Sequence, residues 1–147
     1  MRRRGFTLVE LAIVLIIFAT TATALSMLAY KGYDWFSALA MNNSLKVESR
    51  TAAERIFHLA ASNRGYKIDA DNHGLSFADG SAARWEGARL EVRHKGQVTL
   101  LAQNVKDFSA IKREGVLTLN LVVEAPLRVH GGAVRLHEIY DSGVTPQ

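Results

Sequence analysis

The sequence predicts an α+β fold, in which one long amino-terminal helix spans a membrane with its first half and packs its second half on an antiparallel β-sheet. Three observations support this. An uncharged apolar run covers residues 11–30, amphipathic helical spacing continues to about residue 62, and alternating strings separated by glycine turns fill the remainder. Of the 147 residues, 48% are hydrophobic and 22% charged, as is typical of a compact domain.

The apolar run is the twenty-residue string LAIVLIIFATTATALSMLAY. At about 1.5 Å per residue, a helix of this length crosses a hydrocarbon core of roughly 30 Å. The basic triplet Arg2 to Arg4 precedes it, and such clusters stay on the cytoplasmic side. We therefore expect a single-pass protein with a cytoplasmic amino terminus and with the residues after Lys31 across the membrane.

The overall charge follows from this leader. Lys and Arg number 18 against 14 Asp and Glu, a formal charge of +4, and three of the cations form the triplet. The excess of positive charge therefore indicates the orientation of the chain in a membrane, and it does not indicate a face that binds nucleic acid. The sequence has no cysteine, which excludes disulfides, thiolate metal sites and cysteine nucleophiles.

Glu10 is an unusual residue for an apolar segment, because a carboxylate costs up to about 2.5 to 3.5 kcal/mol at a bilayer centre. Two explanations remain open. A position near the cytoplasmic headgroups and a helix N-terminus lets water and the helix dipole stabilise it. Alternatively, a cut just before Phe6 creates an α-amino group, on the same or a neighbouring chain, that supplies a compensating cation.

The string GFTLVE at residues 5–10 resembles the cleavage and methylation signal of the type IV pilin and type II secretion pseudopilin superfamily. A short basic leader ends in glycine, and an acidic residue stands fifth after it. The resemblance implies that prepilin peptidase cuts between Gly5 and Phe6 and that Phe6 becomes N-methylated. It also implies that Glu10 pairs with the Phe6 amine of a neighbouring subunit during assembly, and that the fold is pilin-like.

This resemblance divides the chain into a leader (residues 1–5), a transmembrane and filament-core helix (6–30) and a periplasmic pilin-like domain (31–147). It implies a structural subunit of the inner membrane that is extracted into a filament. The residues of this sequence assign no catalytic group, metal or cofactor, although the resemblance would allow calcium in the globular domain. The implied partners are other pilin or pseudopilin subunits, prepilin peptidase, an inner-membrane assembly platform and, before assembly, membrane lipid. The lack of a cysteine pair favours a minor subunit, and the strand-rich half resembles the pseudopilin class near the filament tip.

Other interpretations of the amino-terminal segment remain. Residues 22–24 have the small side chains of a signal peptidase site, which would release a secreted protein, although Glu10 interrupts the apolar region of such a signal. Residues 3–6 match a loose twin-arginine pattern. If the GFTLVE string arose by chance, the chain is a single-span protein whose extracytoplasmic domain binds a ligand and which stays uncut.

Beyond the membrane, the pattern predicts a helix and then a sheet. Apolar or small residues recur at helical spacing, and Asn63 and Gly65 then stop the helix; the recurring residues are Leu45, Ser49, Ala52, Ala53, Ile56, Leu59 and Ala60. Five strands in an antiparallel meander are predicted at residues 88–94, 97–102, 105–112, 116–125 and 133–140, with turns at Lys95-Gly96, Glu114-Gly115 and Gly131-Gly132. In the fourth, Leu117, Leu119 and Leu121 alternate with other residues and should face the helix.

The search for catalytic or metal-binding motifs finds none above background. The sequence has no Gly-x-Ser-x-Gly elbow, phosphate-binding loop or His-Glu-x-x-His pair, and His94, His130 and His137 lack a second ligand at a metal spacing. The loop DADNHG at residues 69–74 begins like a calcium loop but has Gly80 where the bidentate glutamate belongs. It is therefore interpreted as a solvated turn.

One strand face carries a pattern that suits DNA. Arg89 and Arg93 share this face with Glu91, and Trp85 is near in sequence, so the surface has cations for phosphates and a ring on which a base stacks. The neutralising Glu91 favours an ordinary solvated face, and nucleic acid is not an expected partner. A minor pilin of a DNA-uptake pilus remains the alternative among filament subunits.

Overall fold

The computed structural model describes residues 7–63, 65–129 and 132–142. Within these residues the chain forms one helix followed by eight strands. The helix is α1 (Leu8–Ser62), and the strands are β1 (Tyr66–Ile68), β2 (Gly74–Phe77), β3 (Ala82–Glu86), β4 (Arg89–His94), β5 (Gln97–Gln103), β6 (Val105–Arg113), β7 (Val116–Val129) and β8 (Gly132–Asp141). The predicted α+β class, a long amino-terminal helix with antiparallel sheet, is confirmed.

The chain divides into two compact units, Met1–Ser37 and Ala38–Gln147. The described part of the first unit is the beginning of α1, and its large apolar side chains are exposed. The second unit holds the remainder of α1 and all the strands.

In the second unit, one face of α1 is buried. Five residues at spacings of three, four and one lie in the core, in agreement with the predicted stripe: Leu45, Ser49, Ala52, Ala53 and Ile56. Leu59 and Ala60, also predicted, are partly buried and pack against the same core. After the helix, Asn63 donates its backbone N–H and its side-chain amide to the carbonyl oxygen of Leu59, at 3.1 and 2.9 Å. These bonds use a carbonyl that the last turn leaves unpaired.

The strands form two antiparallel sheets rather than the single one expected. One sheet has the order β1-β2-β3-β4-β5 and the other β6-β7-β8. All five predicted strands are present as β4 to β8, and the structure adds the three short strands β1 to β3. Two of the predicted hairpin turns have positive φ at both central residues, Lys95 with Gly96 and Glu114 with Gly115, as a two-residue hairpin requires. The third, at Gly131 and Gly132, includes Gly131, which lies outside the described residues.

Specific hydrogen bonds join the two sheets. The Trp85 indole donates to the carbonyl oxygen of Val105 at 3.2 Å. The backbone N–H of Ala110 donates to the backbone carbonyl oxygen of Asn72 at 2.9 Å. His73 places its Nδ1 2.5 Å from the carbonyl oxygen of Phe108 and its ring edge-on to Trp85. The loop before β2 therefore connects one sheet to β6 of the other.

The core of the second unit lies where the buried face of α1 meets the inner faces of the strands. The predicted leucine face of β7 is confirmed, because Leu117, Leu119 and Leu121 are buried in this core with Phe108 of β6. Ser49 is the buried polar residue of the helix face, and its Oγ lies 2.7 Å from the hydroxyl of Tyr140 on β8. Ser49 Oγ also donates to the carbonyl oxygen of Lys46 at 3.1 Å, so this buried hydroxyl has two hydrogen-bond partners and its burial is not costly.

Tyr140 makes the free energy of unfolding depend on pH in the alkaline range. Burial raises the pKa of its phenol, and the hydrogen bond with Ser49 acts in the opposite direction. A raised pKa contributes stability that is present below the ordinary value of about 10 and is lost as the pH rises through the folded-state pKa. We expect the urea midpoint of unfolding to fall as the pH rises above about 10, and to fall less in Tyr140→Phe. Identical pH profiles for the two proteins would contradict this prediction.

Candidate functional site

The candidate site lies at the start of α1, where Thr7 and Glu10 form a reciprocal cap. One carboxylate oxygen of Glu10, Oε2, accepts hydrogen bonds from the backbone N–H and the hydroxyl of Thr7, both at 2.9 Å. The Thr7 hydroxyl in turn accepts the backbone N–H of Glu10 at 3.3 Å. This is the arrangement of a capping box, in which a Thr before the helix and a Glu three residues later satisfy first-turn donors.

The cap explains how an isolated chain holds a carboxylate at this end of an apolar helix. Glu10 lies in the first turn of α1, where the helix dipole stabilises negative charge. The cap and this position account for the carboxylate of the isolated chain through the helix N-terminus, which is one part of the first explanation given above.

Sequence reasoning found Glu10 but missed Thr7. The signal was present, because Thr-x-x-Glu before an apolar run is the sequence form of a capping box. The other two predicted site residues, Gly5 and Phe6, lie outside the described residues, so the cleavage and methylation sites stay predictions.

The cap makes a testable contribution to the first helical turn. Replacing Thr7 with Ala removes the hydroxyl and should weaken this turn by about 1 kcal/mol. In detergent micelles we expect about fivefold faster hydrogen exchange at the backbone N–H of Glu10, which loses its acceptor. Thr7→Ser keeps the hydroxyl and serves as the control. Equal exchange rates in Thr7→Ala and the unaltered chain would show that the cap is not formed.

After the cap, α1 satisfies its own polar groups along the apolar segment. Thr20, Thr21, Thr23 and Ser26 each donate their hydroxyl to a carbonyl oxygen one turn earlier, at 2.7 to 3.0 Å. Hydrocarbon offers no water to such groups, so internal bonding is what a spanning helix requires. Within the described residues, α1 is the one helix long and apolar enough to cross a membrane.

The loop of residues 69–74 directs its carboxylates to separate partners. The two oxygens of Asp69 lie 3.4 Å from the Ser76 hydroxyl and 3.8 Å from Arg84 Nε, and Asp71 accepts the backbone N–H of His73 at 3.1 Å. A Cβ at Gly74 would collide with the Asp69 carboxylate, which would then have to move. Across residues 7–63, 65–129 and 132–142, no group of three or more His, Cys, Asp or Glu side chains is placed to hold a metal ion.

Two of the three histidines singled out from the sequence have local partners. Nδ1 of His94 lies 3.7 Å from a carboxylate oxygen of Asp79, and Nε2 of His137 lies 2.6 Å from the side-chain oxygen of Asn120. His130 lies outside the described residues. His73, which the sequence analysis treated only as part of a loop, is the histidine that links the two sheets.

The arginine face of β4 differs from the surface considered for DNA. Arg93 lies 2.6 Å from a carboxylate oxygen of Glu86 and 3.6 Å from one of Glu91. Trp85 pairs across the sheet with the buried Leu90, so its ring is on the opposite face from these charges and contacts the core. The expectation that Trp85 lies beside the arginines as a stacking ring is therefore wrong, because strand alternation turns it inward.

Residues 1–26 match the family described as the prokaryotic N-terminal methylation motif. No curated protein and no solved structure matches the chain. The chain thus carries the prepilin-type signal predicted from residues 5–10, and with its apolar helix this signal fits a membrane-anchored precursor of the type IV pilin or pseudopilin class. Proteins of that class are generally structural rather than enzymatic.

Proposed function

We propose that this protein is a minor pilin or pseudopilin, a structural subunit that is inserted in the inner membrane and then assembled into a filament. The observation that carries the proposal is the methylation motif at residues 1–26, joined to one continuous apolar helix whose first turn contains Glu10. In this proposal prepilin peptidase cuts between Gly5 and Phe6, and Phe6 becomes the N-methylated first residue.

The apolar half of α1 has two uses in turn. Its large side chains, from Leu8 to Leu28, are exposed in the isolated chain, which suits contact with lipid. When subunits associate, the same side chains exchange lipid for neighbouring helices, at little hydrophobic cost because both environments are apolar. One segment therefore serves first as the membrane anchor and then as the filament core.

Glu10 sets the register of this exchange. In the isolated chain Thr7 satisfies one of its carboxylate oxygens. Cleavage before Phe6 creates an α-amino group one residue before Thr7, and the Phe6 amine of a neighbouring subunit then pairs with Glu10. Because a carboxylate buried without a cation is costly, subunits that are out of register are disfavoured, which is the best-attested use of buried charge.

A type II secretion pseudopilus and a type IV pilus are the assemblies that this signal fits. A third kind of assembly, a DNA-uptake pilus, would need a surface that binds nucleic acid. On the β4 face Arg93 is paired with Glu86 and Glu91, and Trp85 packs against the core instead of lying beside it, so we place a DNA-contacting role second.

The test is the intact mass of the membrane-extracted protein, expressed with and without a prepilin peptidase. We expect the peptidase to remove Met1 to Gly5 and the product to carry one added methyl group, while the protein expressed alone keeps its full mass. An authentic pilin processed in the same cells is the positive control. A chain left uncut beside that control would favour a simple anchored domain, and a cut near Ala24 would indicate a secreted protein.

A further inference from the structure

A cluster of aromatic side chains begins at Tyr30, the last residue of the apolar run of α1. Tyr30, Tyr33, Trp35 and Phe36 fall within seven residues, a third of the twelve aromatic residues in the chain. Each has 63 to 71% of its surface exposed, so none of them is part of the core. They form one feature of the first unit, which we call the aromatic belt.

The belt is not confined to one side of the helix. At 3.6 residues per turn, Tyr30, Tyr33 and Phe36 fall within about 120° of one another, and Trp35 lies roughly 160° from Tyr33. A face that packs against one protein partner would gather its aromatic residues on a single stripe. Aromatic residues on opposite sides of a helix, within two turns of the end of an apolar run, are instead the pattern found where a helix leaves a bilayer.

The axial distances agree with that position. The apolar run preceding the belt is about 30 Å long, the thickness of the hydrocarbon core, and the belt itself covers about 9 Å from Tyr30 to Phe36. The headgroup region of one leaflet is roughly 5 to 8 Å thick. Tyr and Trp suit this region because each has an apolar ring and a polar tip, and Lys31 adds a cation that reaches lipid phosphates.

We propose that the aromatic belt is a binding surface for phospholipid, seated in the headgroup region of the leaflet on the far side from the amino terminus. The belt fixes the depth of the helix in the membrane before assembly. One hydrocarbon thickness back along α1 is Glu10, which the belt therefore holds at the cytoplasmic boundary, beside water and near the proposed cut. The inference rests on the proposed membrane anchoring.

Trp35 itself is the probe for the test. The full chain is reconstituted in phosphatidylcholine and phosphatidylglycerol vesicles that contain lipid with a nitroxide either near the headgroup or at the end of an acyl chain. The signal of Trp35 is the emission of the unaltered chain minus that of Trp35→Phe, which retains Trp85. We expect the headgroup label to quench Trp35 at least threefold more strongly than the acyl-end label, and to leave Trp85 unquenched.

Three outcomes would overturn the proposal, and they separate its parts. If the chain floats with vesicles while Trp35 is unquenched by either lipid and quenched by aqueous iodide, the belt lies in water and suits a protein partner. If the acyl-end label quenches more strongly, the belt lies within the hydrocarbon. If the chain does not float with the vesicles at all, the membrane anchor in the proposed function fails together with the belt.

Discussion

Phe108→Ala should lower the free energy of unfolding of the second unit by about 3 to 5 kcal/mol, the loss typical of a buried phenylalanine truncated to alanine. Phe108 is 1% exposed and lies opposite Leu121 of β7 in the register. The side chain therefore fills the core where β6 and β7 meet, and its removal costs both burial and close contacts. The measurement is a urea titration of the full chain in detergent, followed by tryptophan fluorescence.

The control variant is on the same strand. Ile111 is also on β6, but its side chain is 38% exposed, so Ile111→Ala removes an apolar group that is only partly buried. We expect a smaller loss, of about 1 kcal/mol. Equal losses in the two variants would mean that β6 is not packed as the structure shows.

Much of the fold could be predicted because its signals are periodic. The small and apolar residues from Leu45 to Ile56 repeat at helical spacing, and the leucines of β7 alternate with more exposed neighbours, so each pattern states which face is buried. Turn sequences such as Lys95-Gly96 indicate where the chain reverses between two strands, because few residue pairs accept positive φ at both central positions. These signals lie within single elements and need no knowledge of the remainder of the chain.

The division into two sheets could not be predicted in this way. Strands β1 to β3 have only three to five residues each, too few for alternation to separate a strand from a loop. They are held by pairing with one another and by contacts such as that of His73 with Phe108, 35 residues away. Contacts between distant residues leave no mark on local periodicity. The inward direction of Trp85 was missed because β3, at five residues, is too short to be recognised as a strand from its alternation.

The parts of the candidate site that lie within a few residues of one another could be predicted from the sequence, and the parts that involve other molecules could not. The Thr7 to Glu10 cap spans three residues and has a sequence form, so it was available from the sequence although overlooked. The peptidase and the neighbouring amine belong to other molecules, and their contacts depend on surfaces outside this chain. The cleavage and the pairing with a neighbouring amine were therefore inferred from the resemblance of residues 5–10 to prepilin signals, and the contacts within this chain do not give them.

Glu10→Ala should be processed and inserted as the unaltered chain is, yet its incorporation into filaments should fall at least tenfold. In the proposed assembly the variant leaves the Phe6 amine of a neighbouring subunit buried without its anion. Removing one partner of a buried ion pair costs about 3 to 5 kcal/mol, and 1.4 kcal/mol already corresponds to a tenfold change in an equilibrium. The measurement is the ratio of filament-bound to membrane-bound subunit in cells that hold the complete assembly machinery.

Glu10→Gln separates the two roles of this side chain. Glutamine still accepts hydrogen bonds from Thr7, since either Glu or Gln completes a capping box, but it has no charge for the Phe6 amine. If the charge sets the register, Glu10→Gln should fail in assembly as Glu10→Ala does, with normal hydrogen exchange in the first turn of α1. Incorporation of Glu10→Gln at the level of the unaltered chain would assign the effect to the cap, because the variant differs from the native carboxylate chiefly in its charge.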